Sequence, residues 1–150
     1  VYAMEVEAPT YETLTEDESQ KLMNVTSKDV KTYSFNGRRF AAKCVEVYDG
    51  DTCKLVFYTR GELMKYSCRM LGYNAPEITR VEDVVKQRGL LMRDRFRSLI
   101  LNKIVYVECG KFDKYGRILV YLYKDQMRTI CYNDEMSEYL TLIEQGELAE

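Results

Sequence analysis

The strongest constraint on the fold is a run of alternating apolar and polar residues that two tight turns interrupt. Apolar residues occupy every second position over 53–57, so their side chains share one face of a strand. The dipeptides Asp-Gly at 49–50 and Arg-Gly at 60–61 flank this segment, and glycine favours tight turns because it accepts positive φ values. The pattern predicts a three-stranded meander over residues 39–73.

Further elements follow the meander. Pro76 ends the third strand, because proline has no N–H to donate to a ladder. A helical pattern then extends to Leu101, two strands are predicted at 104–109 and 118–123, and a last helix at 133–144. This order predicts an α+β fold in which a five-stranded OB-fold β-barrel packs with two to three α-helices.

The first residues form a separate part of the sequence. Residues 1–36 are polar and acidic and lack a strong hydrophobic period. Within them, Thr15 and Glu18 have the spacing of a capping box, which predicts a short helix over 16–24. We therefore expect a partly helical N-terminal extension over 1–36 and an OB-fold domain over 37–150.

Composition excludes several kinds of chemistry. The chain contains no His, which rules out Ser-His-Asp and Cys-His nucleophile pairs, HExxH zinc sites and a histidine general base. The five Cys residues form no CxxC pair and mostly stand in apolar runs, which favours free buried thiols over a disulfide framework or a zinc site. Any catalysis must use carboxylates, arginines, tyrosines or a metal ion.

Charge is unevenly distributed along the chain. Residues 35–133 carry nineteen basic and eleven acidic residues, whereas residues 1–34 have a net charge of −4 and residues 134–150 a net charge of −6. A basic middle suits a polyanionic ligand, although an ordinary solvated surface explains it equally well. No apolar run is long enough for a membrane span, and no leader is visible at Val1–Pro9. With the free thiols, this predicts an intracellular protein.

A few polar residues stand where the strand pattern predicts the ends of neighbouring strands. Asp51 begins the second strand and Asn74 follows the third, so their oxygens would be neighbours and could bind a hard cation. Glu77 is near enough to orient a water, and Arg69 and Arg117 could converge from two strands. Such a set suits phosphodiester hydrolysis, in which guanidiniums bind the phosphoryl oxygens and a carboxylate acts on the water. Each element alone is more often a turn or a surface ion pair.

The order of three motifs adds to this interpretation. The motifs DGDT at 49–52, RMLGYNAPE at 69–77 and DKYGR at 113–117 together resemble the staphylococcal nuclease-like (thermonuclease) family over roughly residues 39–148. The resemblance implies an OB barrel with calcium-dependent cleavage of DNA and RNA, with magnesium or manganese as alternatives to calcium. It also implies single-stranded or flexible nucleic acid as the partner.

The resemblance assigns a role to each matching position. Asp51 would ligate the metal together with Asn74 and the backbone carbonyl of Ala75. Beyond the resemblance, Asp49 could compensate as an additional acid. The catalytic residues would be Arg69 and Arg117, which clamp the phosphate, and Glu77, which activates or positions the water. Lys114 and Tyr115 would contact a neighbouring phosphate.

One position departs from the family pattern. The family has an aspartate where this chain has Asn74, and the loss of a negative charge should weaken calcium binding. A catalytically weak module that binds nucleic acid or protein is therefore an alternative to the enzyme. A third possibility is an OB-fold single-strand binder that stacks bases on Tyr48, Tyr73 or Tyr115.

Overall fold

The computed structural model describes residue 8 and residues 10–146. They divide into two compact units, with the boundary between Tyr33 and Ser34. In the first unit, helix α1 spans Glu16–Asn24. Thr15 caps it, and the hydrogen bonds between Thr15 and Glu18 run in both directions, so the predicted capping box and helix are confirmed.

The second unit contains the barrel and two helices. It begins three residues before the predicted boundary, and the ring of Phe35 is fully buried against Phe40 and Phe57. Its elements in chain order are β1 Arg39–Val47, β2 Thr52–Thr59, β3 Glu62–Met70, α2 Asp83–Ile100, β4 Ile104–Phe112, β5 Ile118–Tyr123 and α3 Tyr132–Glu144.

The strands close into a barrel in the order β1-β2-β3-β5-β4. The pairing of β3 with β5 is parallel, whereas the other four pairings are antiparallel. A closed five-stranded mixed barrel with three helices confirms the predicted α+β OB-like fold. No helix in residue 8 or residues 10–146 is long and apolar enough to cross a bilayer.

The strand periodicity was a good guide to the core, with one exception. Cys53, Leu55 and Phe57 are all buried, as their alternation predicts. Met64 alternates with the buried Cys68 and Met70 in β3 but is 44% exposed. The reason is that β5 pairs with β3 only over Cys68–Met70, so the tip of the β2–β3 hairpin extends beyond the barrel.

The structure also tests the predictions made for the cysteines and for the second helix. All five Cys residues are free, and four of them are buried. Helix α2 begins only at Asp83, so residues 77–82 form an irregular segment between β3 and the helix. Met92 and Phe96 of α2 are fully buried in the core, which fits the helical pattern predicted up to Leu101.

One buried polar residue connects α3 to the barrel. Asn133 is 2% exposed, and its Oδ1 accepts the N–H of Leu122 at 2.8 Å. Its Nδ2 donates to the carbonyls of Leu71 and Val120 at 2.8 and 2.9 Å. One side chain thus satisfies three backbone groups on two chain segments, which fixes α3 against the end of β3 and the middle of β5.

We expect Asn133→Leu to lower the free energy of unfolding by about 2–4 kcal/mol, because it leaves buried backbone groups without partners. Urea denaturation measures the change. Glu138→Gln, an exposed position on the same helix, is the control and should change the value by less than about 0.5 kcal/mol. Equal stabilities of the Asn133→Leu variant and the unmodified protein would contradict this role.

Candidate active site

Asp51 is a buried carboxylate directly before β2. It is 4% exposed, and its Oδ2 accepts the backbone N–H of Ala75 at 2.9 Å. The same oxygen lies 3.4 Å from Nη2 of Arg69, and Oδ1 accepts the Thr52 hydroxyl at 3.1 Å. Asp51 therefore joins the turn before β2 to the segment after β3.

Strand pairing and one glycine bring these two segments together. Thr52 pairs with Arg69 across β2 and β3, and the N–H of Met70 donates to the Asp51 carbonyl at 2.8 Å. A Cβ on Gly50 would lie 2.6 Å from Cβ of Met92 and 2.7 Å from Cβ of Ala75. Since these contacts are too close for any side chain, only glycine lets the turn pack this tightly.

Tyr73 also holds this turn. Its hydroxyl donates to the Gly50 carbonyl at 2.7 Å, and the residue is 8% exposed. Burial raises the pKa of Tyr73, and the nearby Asp51 carboxylate acts in the same direction. The phenol therefore remains protonated and acts as a hydrogen-bond donor. Tyr73 was predicted as a possible base-stacking residue, but it is a buried structural residue.

The environment of Asp51 disfavours its negative charge. Burial raises the pKa of Asp51 to about 6, and the neighbouring Asp49 acts in the same direction. The Ala75 N–H and the Arg69 guanidinium act in the opposite direction. A carboxylate that is desolvated and close to a second acid gains from a nearby positive charge, so this position favours a cation.

Asn74 contributes to the site through Arg69. Its Oδ1 accepts a hydrogen bond from Nη2 of Arg69, the same nitrogen that lies near Asp51. The structure therefore brings Asp51, Arg69, Asn74 and Ala75 into one connected network. Nε and Nη1 of Arg69 have no hydrogen bond within the described chain, so they are available to a ligand.

The loop before β5 holds the second arginine. Nε of Arg117 donates to Oδ2 of Asp113 at 2.7 Å, while Oδ1 of Asp113 accepts the backbone N–H groups of Tyr115 and Arg117, both at 2.9 Å. Burial acts to raise the pKa of Asp113, but these hydrogen bonds and the Arg117 charge outweigh it and lower the pKa. The carboxylate thus remains charged and orients Arg117 through Nε.

The two arginines lie on the same outer side of the barrel. Arg69 pairs with Leu119 in the parallel β3–β5 ladder, and Arg117 precedes Leu119 by two positions, which places it on the same face. Strand spacings of about 4.8 and 3.3 Å put the two Cα atoms roughly 8 Å apart. Lys114 and Tyr115 lie in the same loop as Arg117, and Tyr115 is 71% exposed.

Glu77 is exposed, and its side chain makes no hydrogen bond or ion pair with the described residues. Its backbone is fixed, because the carbonyls of Pro76 and Glu77 pack against Gly89 of α2. A Cβ at that glycine would lie 2.7 and 2.8 Å from the two oxygens. The structure therefore positions the Glu77 backbone close to the Asp51 contact at Ala75, but it gives no contact between the Glu77 side chain and the two arginines.

The oxygen donors near Asp51 are of the kind that a hard divalent cation prefers. Two carboxylates lie together there, because Oδ1 of Asp49 accepts the N–H of Asp51 at 3.1 Å. The amide oxygen of Asn74 and the carbonyl of Ala75 can add neutral oxygen ligands, which suit calcium, magnesium or manganese. Across residue 8 and residues 10–146, no group of three or more His, Cys, Asp or Glu side chains is arranged to hold a metal. The negative charge of the donor set is therefore low.

Sequence reasoning missed three residues that position the site, namely Tyr73, Gly89 and Asp113. Gly89 had a visible signal, since glycine in the middle of a helical pattern costs about 1 kcal/mol relative to alanine. The Asp113 spacing to Arg117 also resembles a local side-chain-to-backbone turn. The Tyr73 bond to Gly50 had no sequence signal, because it joins positions far apart in the chain.

Comparison with known proteins identifies one matching protein family. A family model described as staphylococcal nuclease homologue matches residues 67–147, which is more than half of the chain. The matched range includes the end of β3, the Asn74–Glu77 segment and the loop of Arg117. No curated protein matches the chain at a significant level.

We expect Gly89→Ala to destabilise the protein by about 1–3 kcal/mol, because the new methyl group would displace the backbone of Pro76 and Glu77. In an ordinary helix interior the same change stabilises by roughly 0.5–1 kcal/mol, so the sign of the effect is decisive. Urea unfolding measures it, with the exposed Lys86→Ala on the same helix as the control. A gain in stability would show that the helix and this segment do not pack closely.

Proposed function

The chain belongs to the staphylococcal nuclease homologue family, and we propose that it is a metal-dependent nuclease that hydrolyses phosphodiester bonds of DNA, RNA or both. The observation that most supports this is the network of Asp51, Arg69 and Asn74 beside a second oriented arginine on the adjoining strand. A purely structural barrel has no need of two such guanidiniums on one face.

The arginines would bind the phosphate. Nε and Nη1 of Arg69 and both Nη atoms of Arg117 make no hydrogen bonds within the described chain, so they can donate to phosphoryl oxygens in the paired geometry that guanidinium favours. Asp51 and Asp113 hold the two side chains in place before substrate arrives. Charge that develops on the phosphoryl oxygens would meet donors that need little rearrangement, which is the main source of electrostatic catalysis.

Glu77 would act on the attacking water. Its side chain is exposed and makes no hydrogen bond with the described residues, so it is available to accept a proton or to orient a water molecule. The close contact of its backbone with Gly89 limits how far the carboxylate can move.

Asp51, Asn74 and the Ala75 carbonyl would hold the metal ion, with Asp49 as an additional acid. When bound, a calcium, magnesium or manganese ion neutralises phosphate charge and lowers the pKa of a coordinated water. Burial raises the pKa of Asp51 to about 6, and a positive charge bound there would favour the ionised carboxylate.

A second candidate function is binding without efficient cleavage. The observation that favours it is the amide of Asn74, which is a neutral hydrogen-bond partner of Arg69. A carboxylate at this position would give a metal ion more negative charge and bind it more tightly. In that case the same arginines would hold single-stranded or flexible nucleic acid, and its affinity would fall steeply with salt. The two functions differ in whether product appears.

We expect Glu77→Gln to reduce cleavage of single-stranded DNA and RNA by about 100-fold or more, because the amide cannot accept a proton. The assay measures product formation with calcium, magnesium, manganese or a chelator. Glu82→Gln, an exposed acid five residues away, serves as the control and should retain full activity. Retarded nucleic acid without product in every metal would instead support the binding module.

We expect Asn74→Asp to lower the metal concentration for half-maximal cleavage by at least about tenfold, because it restores a charge next to the proposed ligands. A metal titration of the initial rate measures this change. The rate at saturating metal should change less than the midpoint. An unchanged midpoint would mean that Asn74 does not lie beside the ion.

A further inference from the structure

A concave site lies on another part of the barrel surface. A cavity of about 250 Å³ opens on the outer face of β1, β4 and β5. Its wall includes Ala41, Tyr106, Glu108, Tyr123 and Arg128. None of the residues assigned above to the metal, the phosphate or the water lines it, so it is a separate site.

Strand register explains the shape of the cavity. Ala41 pairs with Tyr106, and Tyr106 pairs with Tyr123, so these three side chains form one row across the outer face. The small Ala41 side chain leaves a gap beside two aromatic rings. A loop after β5 closes one side, since the N–H of Lys124 donates to the Ile130 carbonyl at 3.0 Å.

One wall of the cavity is an unusual carboxylate. Glu108 is partly exposed, but its Oε2 is buried and makes no hydrogen bond with the described residues. The nearest cationic atoms are Nη1 of Arg128 at 3.4 Å and Nε of Arg39 at 3.7 Å. A buried carboxylate oxygen without a hydrogen bond is costly. The terminal torsion of Glu is soft, so a ligand with N–H donors could satisfy this oxygen after a small rotation.

The charges that line the cavity limit the class of ligand it can bind. The carboxylates of Glu108 and Asp125 disfavour a bare anion, and the guanidiniums of Arg39 and Arg128 disfavour a cation. The remaining class is a neutral, flat ligand that has donors for the carboxylate, acceptors for arginine and a face for tyrosine. Guanine has all three, because its N1–H and N2–H₂ groups form an adjacent pair of donors and its O6 and N7 accept from arginine.

We propose that this cavity binds a guanine base of single-stranded nucleic acid, with Glu108 on the N1 and N2 edge, an arginine on the acceptor edge and a tyrosine ring against the base. The inference rests on the proposed function for the nature of the partner. It adds a base-reading site to a phosphate-binding site that reads no sequence.

The position of the cavity along β5 fits one bound strand. Arg117, Tyr121 and Tyr123 alternate onto the same outer face, and Tyr121 is 39% exposed. Six positions of β-strand separate Arg117 from Tyr123, which corresponds to roughly 20 Å. An extended single strand can therefore reach from the arginine pair to the cavity and pass an exposed aromatic ring on the way.

The test measures the affinity of guanosine, inosine and adenosine 5′-monophosphates by calorimetry, with a chelator present. Inosine lacks only the N2 amino group, and the shared phosphate cancels when the three are compared. We expect guanosine monophosphate to bind at least about tenfold more tightly than adenosine monophosphate, with inosine monophosphate between them. Glu108→Gln should remove this preference. Ala41→Leu should weaken guanosine monophosphate by filling the gap without changing charge.

Lys43→Gln, which removes a positive charge from the same face of β1 without lining the cavity, is the control and should preserve the preference. Equal affinities for the three nucleotides, or a guanine preference that survives Glu108→Gln, would overturn the proposal. Glu77-dependent cleavage without a guanine preference would overturn the cavity assignment alone. A guanine preference without cleavage in any metal would overturn the nuclease and leave the cavity assignment in place.

Discussion

The hydrogen bond from the Ala75 N–H to the buried Asp51 carboxylate is the interaction on which the site depends. It joins a turn before β2 to a segment after β3, and neither segment has regular structure of its own. The same carboxylate also lies near Arg69, so one group fixes both the proposed ligands and one phosphate-binding side chain. Gly50 allows the turn to lie close to Ala75 and Met92, and the Tyr73 hydroxyl donates a hydrogen bond to the Gly50 carbonyl.

Most of the barrel could be predicted from sequence because its strands have a simple period. The alternation in β2 identified Cys53, Leu55 and Phe57 as core residues, and turn residues gave the strand boundaries. Met64 is exposed although it shares the alternation of β3, because local periodicity does not tell where a neighbouring strand stops pairing. The network of Asp51, Arg69 and Asn74 was predictable as a cluster, but its supports at Tyr73 and Gly89 depend on contacts between distant segments. Cavities such as that beside Glu108 depend on register across three strands, which the sequence does not specify by itself.

Both proposed sites place carboxylates beside guanidiniums, but the hydrogen bonding of the carboxylates differs. At the phosphate-binding face, Asp51 and Asp113 hold guanidiniums whose other nitrogens remain available. At the cavity, Oε2 of Glu108 forms ion pairs with Arg128 and Arg39 but accepts no hydrogen bond from the described residues. The acids of the first site accept hydrogen bonds as well as ion pairs, whereas this oxygen of Glu108 still lacks a hydrogen-bond donor. This contrast explains why we assign the first site to an anion and the second to a donor-rich neutral ring.

The parallel pairing of β3 with β5 determines when the two arginines come together during folding. Cys68 pairs with Ile118, so Arg69 and Arg117 meet only after a long intervening segment has folded and the barrel has closed. During synthesis, a chain that still lacks β5 presents the DGDT turn and the first arginine without the second. The pair of guanidiniums that the proposed function requires is therefore complete only in the last stages of barrel assembly.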